Sequence, residues 1–439
     1  MNKQQVPTCG SSEHTLHRRA FLGGTLGLAG GMAGLDALGG PLLANEVQRR
    51  HKRVILLWMA GGLSQFESWD PKPGRRTGGP FQAIQTSVPG YQMSELMPRM
   101  AARIHKTAVI RSFSSPNTGH TGPSVFALMS GDRRDTGNIR TPSLGCLLGR
   151  ELSQPNSTMP DHVSFWNATW PFSGGDKQLD FALFLGSRFE PINIASKLAP
   201  DGIRLPASLT DADHRAREAL REQLAARFQA NRSSDATVAS HGGSYQRVRG
   251  IMDNASLFDI SREPQSIRDR YGNSLFGQQA LVARRLVEAG VPFVRLTDGW
   301  WDSHGENFEI HASKVPTLDQ VMSALLEDLE QRGLMDDTLV ITFAEMGRTP
   351  QINAQRGRDH WGSCWSVTLT GCGIRSGVIH GSTNADGTGV ATDRVTAAEF
   401  FATIFRAVGI DHQKEYAAPD GRPIRLTPYN TEPVSAVLA

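Results

Sequence analysis

Near-continuous apolar runs constrain this chain more than any other feature. Arg53–Ala60 (RVILLWMA), Val291–Leu296 (VPFVRL) and Leu339–Phe343 (LVITF) have the pattern of strands covered on both faces. That is the environment of a strand inside a parallel sheet with helices on either side. Thr107–Arg111 and Val367–Leu369 read as further strands. Val315–Arg332 is an amphipathic helix, with Leu318, Val321, Met322, Leu325, Leu326 and Leu329 on one face. Gly333 ends it. Met93–Ile104 and Ala397–Val408 read as shorter helices. The expected fold class is α/β, a mostly parallel sheet sandwiched by helices. Helical patterns at 211–231, 244–258, 264–271 and 275–289 follow one another with no strand between them, so a helical insertion is expected at about 207–290. A chain of 439 residues is long enough to bury a sizeable core.

The amino-terminal segment reads as a targeting signal. His17-Arg18-Arg19-Ala20-Phe21-Leu22 is a twin-arginine pattern, followed by a Gly-rich apolar run interrupted by Asp36. That run is too polar for a comfortable membrane anchor, and Pro41-Leu42-Leu43-Ala44 is a plausible processing site. The expectation is an export leader over 1–44, a single α/β domain over 45–439, and a periplasmic or cell-envelope location with no stable membrane span in the mature chain.

Charge narrows the function classes. The formal net charge is +3, and Lys3, Arg18 and Arg19 against Glu13 and Asp36 put +1 of it in the leader. Nothing here resembles a nucleic-acid footprint. Four cysteines are too few for a disulfide framework, and a Cys364–Cys372 pair is left open.

The chemistry-bearing residues follow the strands, where open α/β sheets place their ligands. Gly61-Gly62 ends the first strand, and Glu67 and Asp70 follow within reach of a crevice. After Thr107–Arg111 comes a Gly/Pro-rich loop with His120 and Thr121, running into the helix-like Val125–Met129. Thr121 is either a nucleophile or a cap, and His120 either a ligand or a surface residue. Asp302-Ser303-His304 and Asp359-His360 each offer a carboxylate and an imidazole, the ordinary ligands of zinc, manganese or iron. Glu345 is a candidate ligand or base, or else a salt-bridge partner of Arg348. Arg348 and Arg358 suit an anionic substrate, whereas Arg356 reads as surface charge. His311, near a helix start, reads as a packing or surface residue.

Longer motifs carry a resemblance. Gly61–Gly74 (GGLSQFESWDPKPG), Gly299–His304 (GWWDSH), Glu345–Pro350 (EMGRTP) and Gly357–Trp361 (GRDHW) resemble the domain-of-unknown-function 1501 family, which is mostly bacterial and abundant in planctomycetes. The resemblance runs from about Val54 to Gly409. The family in turn resembles the alkaline phosphatase and sulfatase superfamily, which implies Asp and His metal ligands at strand ends and a nucleophile at a helix N-terminus. Thr121–Gly131 (TGPSVFALMSG) is similar to the sulfatase nucleophile stretch, with Thr121 at the nucleophile and Val125 where sulfatases carry Arg. The implied metal ligands are Asp302 (or Asp298), His304, His360 and Glu345, for zinc, manganese, calcium or magnesium. Met346 stands where a second-metal His or Asn is expected, and Thr cannot be oxidised to the sulfatase aldehyde, so the implied chemistry departs from the two-metal and formylglycine patterns.

The resulting expectation is an exported, divergent, single-metal hydrolase of phosphate or sulfate esters. Thr121, Arg348 and Arg358 are its catalytic candidates, and an anionic small molecule or polysaccharide is its partner. The alternative is a non-catalytic envelope protein of the same fold that binds anionic ligands.

Overall fold

The computed structural model describes residues 51–120, 122–132, 140–154, 157–167, 180–204, 208–230 and 236–439. The expected leader, residues 1–44, lies outside the described residues.

The sheet is built on β1 (Arg53–Met59), whose apolar residues divide by parity. Val54, Leu56 and Trp58 enter the core on one face, and Ile55, Leu57 and Met59 enter the core on the other. This is what the two-residue period of a strand does to a continuous apolar run. The other strands are β2 (Thr107–Ser114), β3 (His162–Asn167), β4 (Ile192–Ala195), β5 (Phe293–Asp298), β6 (Thr338–Phe343) and β7 (Trp365–Gly371), with two short pieces, β8 (Ile379–His380) and β9 (Val395–Thr396). The order is β8-β2-β7-β6-β1-β5-β3-β4, with β9 also paired to β2. β1 runs parallel to both β5 and β6, and β7 is antiparallel to its two neighbours. The sheet is therefore mostly parallel.

Helices cover both faces. On one side lie α1 (Pro98–Arg103), α7 (Leu275–Glu288) and α8 (Asn307–Gln331). On the other lie α2 (Gly122–Met129), α3 (Leu144–Glu151) and α9 (Ala397–Ala407). Between β4 and α7 run α4 (Asp211–Ala230), α5 (Ala236–Asp253) and α6 (Gln265–Tyr271). Of the four consecutive helices, α7 packs directly on the sheet through Ala280, Leu281 and Leu286. No helix among the described residues is long and apolar enough to cross a membrane.

Two helix starts differ from the sequence pattern for visible reasons. Gln92–Ser94 pairs with Ala83–Gln85, so α1 begins only at Pro98. A first-turn proline has no N–H to leave unpaired, and Asp319 accepts from the N–H groups of Arg99 and Met100. α8 begins at Asn307 rather than Val315, because Phe308 and His311 extend its buried stripe by two turns.

Cys364 and Cys372 are not paired. With Cys146 they are buried free thiols, and burial pushes the Cys364 and Cys372 thiols up to about 11.

Candidate metal centre

The carboxyl ends of β1, β2, β5 and β6 point the same way, and their following loops meet. Asp302, four residues past β5, is the meeting point. His120 approaches its Oδ2 through Nε2 at 3.2 Å. His304 and His360 approach its Oδ1, each through Nε2 and each at 3.2 Å.

The far nitrogen of each ring is held. His360 Nδ1 lies 2.7 Å from the Thr118 carbonyl, His304 Nδ1 lies 2.6 Å from Asp359 Oδ1, and His120 Nδ1 lies 2.9 Å from Glu345 Oε1. A carbonyl or a carboxylate can only accept, so all three Nδ1 atoms carry the proton. In the neutral rings, Nε2 then presents a lone pair. His304 Nε2 and His360 Nε2 face each other at 3.0 Å beside the Asp302 carboxylate. Two lone pairs and an anion aimed at one place repel unless a proton or a cation sits among them.

The donor set fits a metal ion. Donor atoms of His120, Asp302 and His360 lie within 4.8 Å of one another. Ligands on a tetrahedral ion with ~2.0–2.2 Å bonds are roughly 3.3–3.6 Å apart, close to the contacts seen. Imidazole nitrogen with one carboxylate suits zinc or another late transition ion better than calcium. Carboxylate or carbonyl groups behind ligating histidines fix the tautomer and raise the basicity of the ligand.

The electrostatics show how strongly the cluster draws positive charge, whether a proton or a cation. Burial disfavours charge on both His120 and Asp302. For Asp302, hydrogen bonds from His120 and His360 and the Arg348 guanidinium outweigh that effect and hold the carboxyl well below the usual range. For His120, the Asp302 and Glu345 carboxylates raise the imidazole to about 9.

A family model described as "Protein of unknown function (DUF1501)" matches residues 51–438. The chain belongs to this family. No curated protein matches it. Among solved structures, it is similar to the lipoteichoic acid synthase LtaP from Listeria monocytogenes, at 10% identity and a TM-score of 0.39, over 86% of this chain and 75% of that one. It is also similar to the PsFucS1 sulfatase from Pseudoalteromonas sp., at 12% identity and a TM-score of 0.37, over 90% and 72% of the two chains. A third is the phosphonate monoester hydrolase of Agrobacterium radiobacter, at 9% identity and a TM-score of 0.32, over 88% and 76%.

The geometry distributes the expected site residues of this DUF1501 chain unevenly. Asp302, His304 and His360 converge. Glu345 stands behind His120: its Oε1 accepts from Gly61 N at 2.6 Å, and its Oε2 is buried with no hydrogen-bond partner among the described residues. It makes no salt bridge to Arg348, because that guanidinium turns to Asp302 Oδ1 at 2.6 Å. Asp298 is not in the cluster; it takes Lys314 at 2.8 Å and the Trp301 indole N–H at 3.0 Å. Thr121 lies outside the described residues.

The two arginines do not clamp an anion. Arg348 is fully buried and donates to Gly62 O, Arg358 O and Asp302, so it orients the carboxylate. Arg358 is fully buried as well and donates to Glu67, Thr77 O, Thr349 O and Pro350 O, which commits all three of its nitrogens. Glu67 is therefore held through Oε1 by Arg358. Asp70 is spent on Lys72, Arg111 and Thr383. Neither reaches the cluster. Gly61 makes room for protein rather than ligand: its φ is +112°, and a Cβ there would lie 2.4 Å from Asp302 N. Arg356 is exposed and pairs with Glu309.

The residue that sequence reasoning left open was His120. Its only signal was its position in a loop after a strand, shared with several bystanders in the same loop. His311 is a packing residue, fully buried against Trp301.

Proposed function

We propose that this DUF1501 protein is a metal-dependent hydrolase of phosphate or sulfate esters. The observation that carries the reading is the meeting of the His304 and His360 lone pairs at Asp302. His120, Asp302, His304 and His360 would hold the ion, with Glu345 beside them. A divalent cation bound there supplies Lewis-acid polarisation of an ester oxygen.

The chain's own groups do the rest. Arg348 fixes the Asp302 carboxylate from below. Thr118 O and Asp359 keep the imidazoles in the Nδ1–H form. The His304 side chain is half exposed, which opens the cluster to solvent and to a substrate. Helix α2 begins two residues after His120, so the positive end of its dipole faces that loop and suits an anion. Thr121, between the two, is our candidate for the attacking hydroxyl. The twin-arginine segment supports export to the envelope, where an anionic small molecule or polysaccharide would be the substrate.

A second reading is favoured by the buried, fully committed Arg358: a protein that binds an anionic ligand at the metal without turnover. The test is elemental analysis of protein purified without chelators, together with hydrolysis of 4-nitrophenyl phosphate and sulfate. The expected result is about one divalent ion per chain and turnover that His360→Ala abolishes. An ion without turnover supports the second reading. Metal-free protein whose properties His360→Ala leaves unchanged overturns both.

A further inference from the structure

His120 and the carbonyl that holds His360 lie on one loop between β2 and α2, and a single carboxylate oxygen fastens that loop. Asp132 Oδ1 accepts from Ser115 Oγ at 2.8 Å and from Asn117 Nδ2 at 2.7 Å. Ser115 Oγ in turn accepts from Asn117 N at 3.0 Å. The next residue, Thr118, supplies the carbonyl that takes His360 Nδ1 at 2.7 Å. The loop meets the His360 segment at a second point, where Ser115 N donates to Gly362 O at 3.1 Å. The approach there is so close that a Cβ on Gly362 would lie 2.3 Å from Ser115 O and 2.4 Å from Thr118 Cγ2. Asp132 is itself well anchored. It follows α2, whose Leu128 and Met129 are buried in the core, and its N–H donates to Ala127 O at 2.7 Å. Its φ is +56°, a left-handed conformation that Asp adopts more readily than most residues.

We propose that Asp132 is a positioning residue for the metal centre, setting the Thr118 carbonyl against His360 Nδ1; this rests on the reading above that His360 holds the ion. A carbonyl behind a ligating imidazole fixes the tautomer and the ring orientation only while it stays in place. Loop backbone is easily turned toward water, so something rigid has to hold it. The helix end supplies that rigidity, and the Asp132 carboxylate carries it to the loop through two donors on one oxygen. Without those bonds Thr118 O is free to rotate away. His360 can then place its proton on either nitrogen, and the Nε2 lone pair is no longer assured. Among the described residues Asp132 contacts Ser115, Asn117 and Ala127, not a metal ligand, so its effect on the ion passes through the loop.

The test measures metal affinity, so it is separate from turnover. Full-length wild type and variants are titrated with zinc alone in competition with a fluorescent chelator, and circular dichroism checks the fold. Asp132→Ala is expected to weaken zinc binding about tenfold, the low end for a supporting partner. Asp132→Asn keeps an oxygen that can accept both bonds, so it stays within about twofold of wild type. Asn117→Ala removes one donor from the loop side and costs about threefold. In a His360→Ala background, Asp132→Ala changes the affinity by less than about twofold, because the ring it positions is gone. A merely structural role would give the same loss in both backgrounds. Unchanged zinc affinity in Asp132→Ala and Asn117→Ala, no recovery in Asp132→Asn, or an equal loss with and without His360 overturns the proposal. If wild type hydrolyses 4-nitrophenyl phosphate or sulfate but Asp132→Ala binds zinc as wild type does, the positioning role fails and the hydrolase stands. If zinc affinity depends on Asp132 but neither ester is hydrolysed, the positioning role stands without the hydrolase.

Discussion

His120 and His360 meet edge to face with ring centroids 4.5 Å apart, and each aims Nε2 at a different oxygen of Asp302. Opposite oxygens of one carboxylate thus have a donor atom on each side, which makes His120 a full member of the site. His120→Ala is expected to weaken metal binding by more than the roughly 10–100-fold that loss of an outer-shell partner costs. Competition with a fluorescent zinc chelator measures this. An unchanged zinc affinity would remove His120 from the cluster.

The Asp359 carboxylate supports the cluster through His304, whose Nδ1 donates to its Oδ1 at 2.6 Å. Asp359→Asn can present the ring with an amide N–H in place of the carboxylate, so the tautomer is no longer fixed and the ligand is less basic. Both residues are more than half exposed or close to it, at 56% and 50%, so solvent screens the effect. The expected loss of zinc affinity is therefore about tenfold, the low end of the outer-shell range. The same chelator competition checks it, with circular dichroism to show that the fold is unchanged.

The sheet was legible because its strands are buried on both faces. The runs at β1, β5 and β6 carry their environment in their composition. The site was legible in part, because Asp302, His304 and His360 stand in the loops that follow buried strands. What the sequence hid was direction. Arg348 and Arg358 occupy the same loop as His360, yet burial turns both guanidiniums inward onto carbonyls and carboxylates. Glu67 and Asp70 follow β1 directly, but Glu67 is bound by Arg358 and Asp70 by Lys72 and Thr383. The difference between His120 as ligand and His120 as a loop residue depends on where Asp302 and Glu345 lie, about 180 and 225 positions away in the sequence.

The Glu67–Arg358 pair is a structural ion pair at 2.9 Å with both side chains fully buried. Removing one partner leaves an uncompensated charge, so Glu67→Leu is expected to destabilise the fold by about 3–5 kcal/mol. Arg358→Met leaves Glu67 unpaired and should cost a similar amount. The double variant Glu67→Leu/Arg358→Met is expected to cost less than the sum of the two, because no buried charge remains without its partner. Urea denaturation of the four proteins closes the cycle. Additive losses would show that the pair does not act as a unit.

His311 ties acid stability to a single hydrogen-bond pattern. Ser64 N donates to its Nε2 at 3.1 Å, and its Nδ1 lies 2.8 Å from Asn307 O, so the neutral Nδ1–H form is the one that fits. Protonation at Nε2 would set two N–H groups against each other in a fully buried place. Burial accordingly lowers the imidazole to about 4, from 6.5 in the unfolded chain. Between those values the unfolded chain binds more protons, so folding stability is complete above about pH 6.5 and falls as the pH drops toward 4. At 1.36 kcal/mol per pH unit, the loss across that window is on the order of 3 kcal/mol. His311→Gln removes the titrating ring while offering an oxygen to Ser64 N. Its stability at neutral pH should be lower than that of wild type, but the fall between pH 7 and pH 5 should be smaller. Urea midpoints for both proteins at the two pH values decide the matter, and equal slopes would mean that the acid sensitivity originates elsewhere.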